Sequence, residues 1–195
     1  MSDRNQGFTL VELIVTIFVT GLLSAFTYAA FNTSIINYFG LQKQSINFTD
    51  LALQTQRLAS VLRGATDITS ATTDDITLYS YFSPADSYVS KVHYYKNSAQ
   101  TKLFVDVTRM TANPPIGTEI ISSAKTYTIL DNYTQVSGNK LFTYLDATGN
   151  TLSAPISDLH TIKGIRVSLA SPSSTNNSTQ SISLQISLRN RKTNL

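Results

Sequence analysis

Few side chains in this 195-residue sequence could do chemistry, and one stands apart. Glu12 is the single charge in the 24 residues from Phe8 to Phe31, FTLVELIVTIFVTGLLSAFTYAAF. A carboxylate at the centre of a spanning helix costs about 2.5–3.5 kcal/mol, less near an interface, so such residues tend to be paired and functional. Glu12 is either an acid that reaches interfacial water or one half of an ion pair. The other candidates point away from catalysis. His93 stands beside Tyr94 and Tyr95 in a strand-like stretch and His160 in a loop-like one. Neither has an acid and a nucleophile at motif spacing, so both read as packing residues and no enzymatic activity is expected. Asp74-Asp75 offers too few oxygen ligands for a hard cation and reads as a solvated turn. Tyr79, Tyr81, Phe82, Tyr88, Tyr94 and Tyr95 read as cross-strand pairs before a ligand-stacking patch. Arg189, Arg191 and Lys192 form a basic end, read as a solvated tail, with contact to nucleic-acid phosphates the weaker alternative. The absence of Cys excludes disulfides, thiolate metal sites and a Cys nucleophile. Neither metal nor cofactor is expected.

Composition places these residues in a membrane-anchored frame. The chain is 42% hydrophobic and 14% charged, below the roughly 25% charged share of an average soluble domain, which excludes a highly charged disordered chain. Ser and Thr make up about a quarter of it, favouring strands and turns. A net charge of +3 is too dilute for a dedicated nucleic-acid binder. As a helix, Phe8–Phe31 covers roughly 36 Å, more than the ~30 Å hydrocarbon core of a bilayer. An ordinary cleaved secretory signal has a shorter apolar run, and bulky Tyr28 and Phe31 flank the Ala29-Ala30 pair. No Lys or Arg lies between Arg4 and Lys43, so Arg4 and the chain amine favour an N-terminus inside.

Helical spacing continues past the apolar run. Leu41, Phe48, Leu51, Thr55, Leu58 and Leu62 share one face, with Lys43, Gln44, Asn47, Asp50, Gln54 and Arg57 opposite. Arg63-Gly64 marks the stop. The sequence therefore predicts one helix from Phe8 to Arg63, about 84 Å long, with Gly21, Asn32-Thr33-Ser34 and Gly40 as points of bending. The rest reads as strands at Ile76–Tyr81, Tyr88–Tyr95, Thr101–Arg109, Tyr127–Leu130, Leu141–Asp146, Ile162–Ala170 and Ser181–Arg189, with Ser171–Thr179 a surface loop. The expected fold class is α+β, a long N-terminal helix whose amphipathic second half packs on an antiparallel sheet. The expected divisions are 1–7 a leader, 8–31 the apolar helix, 32–64 its amphipathic extension and 65–195 the sheet domain.

Gly7-Phe8-Thr9-Leu10-Val11-Glu12-Leu13, a short polar leader ending in Gly, then Phe, then Glu four residues on, resembles a type IV prepilin N-terminus. The resemblance implies cleavage by a prepilin peptidase between Gly7 and Phe8, N-methylation of the new Phe8 amine, and retention of the apolar helix as filament core. It also gives Glu12 a partner, the Phe8 amine of a neighbouring subunit. Phe8 and Glu12, at i and i+4, share a helix face. The later segments, RLASVLRGATDI, VHYYKN…KLFVDV, LFTYLDATGN and IKGIRVSLA, are similar in order to W-type minor pilins and J-type pseudopilins. Major pilins usually tie down their C-terminal region with a disulfide, which this chain cannot form; that departure points to a minor subunit, or to a lineage that does without the bridge.

The implied function is structural, a subunit of a type IV pilus-like filament in a pilus, secretion or DNA-uptake machine. The implied partners are other pilin subunits, the prepilin peptidase, an inner-membrane assembly platform and, before assembly, membrane lipid. The implied location is the cytoplasmic membrane, single-pass, and then an extracytoplasmic filament. The alternative is a single-pass anchored module that binds a ligand or DNA without forming filaments.

Overall fold

A computed structural model describes residues 9–135, 138, 140–172 and 179–189. Among the described residues there is one α-helix, α1 (Leu10–Arg63), followed by antiparallel strands, the α+β arrangement the sequence implies. The chain divides into two compact units, Met1–Lys43 and Gln44–Leu195.

In the first unit the described residues are one run of helix. Its large apolar side chains, among them Leu13, Ile14, Phe18, Leu23, Phe26 and Phe31, are exposed. The helix runs without a break through Asn32-Thr33-Ser34 and Gly40, the expected points of bending. There the Thr33 hydroxyl donates to Ala29 O at 2.9 Å and the Ser34 hydroxyl to Ala30 O at 2.8 Å. Back-bonds of this kind often bend a helix without interrupting it.

In the second unit α1 buries Leu51, Thr55, Leu58, Ala59, Val61 and Leu62. The buried face is shorter than its spacing suggests: Leu41 and Phe48 are exposed, and burial begins only at Leu51. Burying a Leu side chain contributes about 1.5–3 kcal/mol, so Leu51, Leu58 and Leu62 anchor this stretch. Gly64 follows the helix, its N–H donating to Val61 O at 3.1 Å and Ser60 O at 3.3 Å.

The strands form two sheets where the sequence suggested one. β1 (Asp67–Ala71), β2 (Asp75–Ser80), β3 (Ser90–Lys96), β4 (Leu103–Arg109) and β5 (Lys125–Leu130) make a five-stranded meander in chain order. β6 (Phe142–Leu145), β7 (Thr151–Leu152), β8 (Gly164–Pro172) and β9 (Thr179–Ser187) make a second sheet ordered β7-β6-β8-β9. The loop placed at 171–179 is shorter than expected, because β8 runs on to Pro172 and β9 starts at Thr179; positions 173–178 lie outside the described residues. One buried cluster takes in the α1 leucines, Ile76, Leu78, Val92 and Val105 of the first sheet, and Phe142, Ile165 and Val167 of the second.

Polar contacts join the sheets. The Tyr144 hydroxyl donates to Thr72 O at 2.7 Å, and Phe142 N donates to Thr73 O at 3.0 Å. Within the first sheet, Lys96 of β3 reaches Asp74 of the β1–β2 turn at 2.8 Å, with its side chain 4% exposed, and it lies 5.7 Å from the centre of the Tyr133 ring.

Candidate assembly site

Glu12 sits in the first turn of α1. Its backbone N–H donates to Thr9 Oγ1 at 3.3 Å, and its Oε2 accepts from both Thr9 N and Thr9 Oγ1 at 3.3 Å. Thr9 and Glu12 thus form a reciprocal capping box, each side chain satisfying a backbone N–H that the helix start leaves unpaired. The carboxylate also lies at the end of the helix where backbone N–H groups favour negative charge. Thr9 is a functional neighbour beyond the expected site residues, and its sequence signal is Thr followed three residues later by Glu before an apolar run.

Glu12 is exposed and, among the described residues, has no cationic partner. Gly7 and Phe8, the expected cleavage and methylation positions, lie outside the described residues. Along the apolar helix, hydroxyls are satisfied within the helix itself. Thr16 donates to Glu12 O at 2.7 Å, Ser24 to Thr20 O at 2.8 Å and Thr27 to Leu23 O at 2.8 Å. That suits an apolar solvent, where each unpaired polar group costs several kcal/mol. The expected soft spot at Gly21 is helical, with open space where a Cβ would stand.

Residues 2–28 match the prokaryotic N-terminal methylation motif. The chain carries the type IV prepilin signature. The signature implies processing by a prepilin peptidase and assembly with other pilins. Among the described residues one helix, beginning at Leu10, is long and apolar enough to cross a membrane, which fits a single-pass anchored protein. A comparison with curated proteins finds no match.

The other described sequence candidates are scattered through the second unit, residues 44–195. His93 stacks on Tyr95 at 4.8 Å, on the exposed side of β3, whereas His160 is exposed in a short 3-10 turn. Asp74 lies in the β1–β2 turn and is held by Lys96. The named aromatics do not converge. Tyr94 is buried, Tyr95 meets Phe104 of the neighbouring strand at 5.8 Å, and Phe82 stacks on Tyr127 at 5.6 Å. Arg189 is exposed, and Arg191 and Lys192 lie outside the described residues. Among the described residues no group of three His, Cys, Asp or Glu side chains could hold a metal.

Proposed function

We propose that this prepilin matures into a structural subunit of a type IV pilus-like filament, in the manner of a minor pilin or pseudopilin. Its work is mechanical and it is not an enzyme. The peptidase cuts between Gly7 and Phe8, the Phe8 amine is methylated, and the helix stays in the membrane with its N-terminus inside until assembly draws it into the filament. There Glu12 neutralises the Phe8 amine of a neighbouring subunit, and the sheet-bearing head faces outward. The lack of Cys favours the minor or pseudopilin reading over a major subunit.

The observation that carries this reading is the pairing of the methylation motif with a helix whose apolar side chains are exposed from Leu10 to Phe39 around a lone carboxylate. Such a surface needs lipid or other apolar helices around it. An acid with no cationic partner among the described residues is suited to a charged terminus on another chain.

Mass spectrometry of the mature chain tests the processing, with Phe8, carrying one added methyl, expected as the first residue; a chain still beginning at Met1 in cells with active peptidase overturns it. Shearing cells without detergent tests the assembly. A filament subunit leaves the cells in large particles, and a simple membrane anchor stays behind. Glu12→Ala is expected to insert and be cleaved normally and to be recovered in sheared filaments at a tenth or less of the wild-type level.

A further inference from the structure

A second polar site lies in the head, independent of assembly, where the helix-facing side of the first sheet reaches its β5 edge. Strand register puts its residues on one face. Ser80, whose hydroxyl donates to Val61 O of α1 at 2.7 Å, pairs with Ser90, and Ser90 pairs with Arg109. Val107 pairs with Lys125, and Val105 with Tyr127. Of these residues Ser90, Val107, Arg109, Lys125 and Tyr127, together with Arg57 of α1, line a cleft of about 380 Å³, within the ~300–1,000 Å³ typical of small-molecule sites.

The chemistry of the cleft is one-sided. Arg57, Arg109 and Lys125 bring three cations against one carboxylate, Asp86. Asp86 is already committed: it accepts from Ser83 N at 3.0 Å and stands 3.8 Å from Arg109. Arg57 lies 5.1 Å above the Phe82 ring, which stacks on Tyr127 to give an aromatic wall. The Lys125 side-chain ammonium has no ion-pair or hydrogen-bond partner among the described residues. At the cleft, Ser90 is 1% exposed and its hydroxyl has no hydrogen-bond partner among the described residues. A buried hydroxyl left unsatisfied calls for an explanation, and an absent ligand is one.

We propose that this cleft binds a phosphate monoester. The formal excess of two positive charges matches a phosphate dianion better than a single carboxylate. Ser90 supplies a neutral donor. The volume beyond the phosphate, walled by Phe82 and Tyr127, takes the organic part of the ester.

The test uses the full chain in an uncharged detergent, isotope-labelled for amide NMR, and titrates phenyl phosphate, inorganic phosphate and benzoate at constant ionic strength. Saturable shifts at Ser90, Val107 and Lys125 are expected with phenyl phosphate, with weaker binding of inorganic phosphate and about tenfold weaker binding of benzoate. Arg57→Gln and Lys125→Gln are each expected to weaken binding about tenfold. Ser90→Ala is expected to weaken binding without lowering the thermal midpoint, because it deletes a hydroxyl that has no hydrogen-bond partner among the described residues. A merely structural Ser90 would leave the affinity unchanged. The proposal is overturned by the lack of saturable shifts, by unchanged affinity in Ser90→Ala or Lys125→Gln, or by benzoate or inorganic phosphate binding as tightly as phenyl phosphate.

Discussion

Leu23 and Leu58 are the same side chain on the same helix, yet Leu23 is 62% exposed and Leu58 is 1% exposed. The residues up to Lys43 hold their apolar surface outward, for lipid or neighbouring helices. The residues from Gln44 turn theirs onto two sheets of the same chain. Composition already separates the two halves of α1: Phe8–Phe31 carries only Glu12, whereas the second half sets Lys43, Gln44, Asn47, Asp50, Gln54 and Arg57 opposite its leucines. Partners separate them too, because Leu51, Leu58 and Leu62 share a buried cluster with the strands and Leu13, Leu22 and Leu23 are exposed. The first region is therefore stable only in company, whereas the second carries its own core.

The sharpest way to break that comparison is to truncate the two leucines. Leu58→Ala opens a cavity in a core of buried side chains and is expected to cost the head about 2–5 kcal/mol of unfolding free energy. Leu23→Ala opens none and is expected to stay within about 0.5 kcal/mol in the same assay. Chemical denaturation of the full chain in uncharged detergent, followed by near-ultraviolet circular dichroism of the tyrosines, measures both. A comparable loss from Leu23→Ala would mean that the two regions share one cooperative core.

Alkali probes the head core next. Burial pushes the Tyr94 and Tyr144 hydroxyls well above their ordinary value and pushes Tyr133 up to about 12. Tyrosine is neutral when protonated, and the unfolded chain titrates near pH 10. The folded state therefore holds the proton more tightly than the unfolded one. The resulting stability is fully present below about pH 10 and is lost as pH rises through the folded values, from about 10 to 12 and beyond. Denaturation midpoints taken from pH 8 to 12 are expected to be flat up to about 10 and then to fall. A flat profile up to pH 12 would show that these hydroxyls ionise as readily in the folded head as in the unfolded chain.

The ion pair within the first sheet, between the β1–β2 turn and β3, is expected to give a smaller effect. Asp74→Ala strips the ion-pair partner from Lys96, whose side chain is almost wholly buried, while Asp74 itself is half exposed. Half-exposure screens the pair, so the expected loss is about 1–2 kcal/mol, between surface and buried values. Lys96→Met, which removes the charge and keeps the apolar stem, is expected to cost less than Asp74→Ala in the same denaturation series. The reverse order would mean that Lys96 is stabilised by Gln135 and the Tyr133 ring more than by Asp74.

Much of this fold is legible from residue order, for identifiable reasons. Arg63-Gly64 marks the helix stop, and seven of the nine strands follow from β-branched and aromatic runs bounded by turns. β1 is missed because DITSA is short and polar, and β7 because it has only two residues. The division into two sheets is missed because alternation reports which face a residue takes and not which strand it pairs with. Glu12 is legible because a lone charge in an apolar run stands out. The cleft of Arg57, Ser90, Arg109 and Lys125 is not, because one helix and three strands contribute to it and only their register brings them together.

The finest test lies at the start of α1, where one carboxylate has two tasks. Within its own chain Glu12 completes the capping box with Thr9; in the proposed filament it offers a negative charge. Glu12→Gln separates the tasks, because Gln serves at this position of the box but carries no charge. Thr9→Ala does the reverse, removing the oxygen that accepts from the residue-12 amide while leaving the acid in place. Loss of such a cap costs about 1 kcal/mol, so the residue-12 amide is expected to exchange about fivefold faster in Thr9→Ala and at nearly the wild-type rate in Glu12→Gln. Recovery in sheared filaments is expected to run the other way, poor for Glu12→Gln and near normal for Thr9→Ala. If Glu12→Gln keeps both its slow exchange and its place in the filament, the charge is dispensable and Glu12 serves the helix start alone. If Thr9→Ala lowers recovery as far as Glu12→Gln does, presentation of the carboxylate by the capped turn matters as much as its charge.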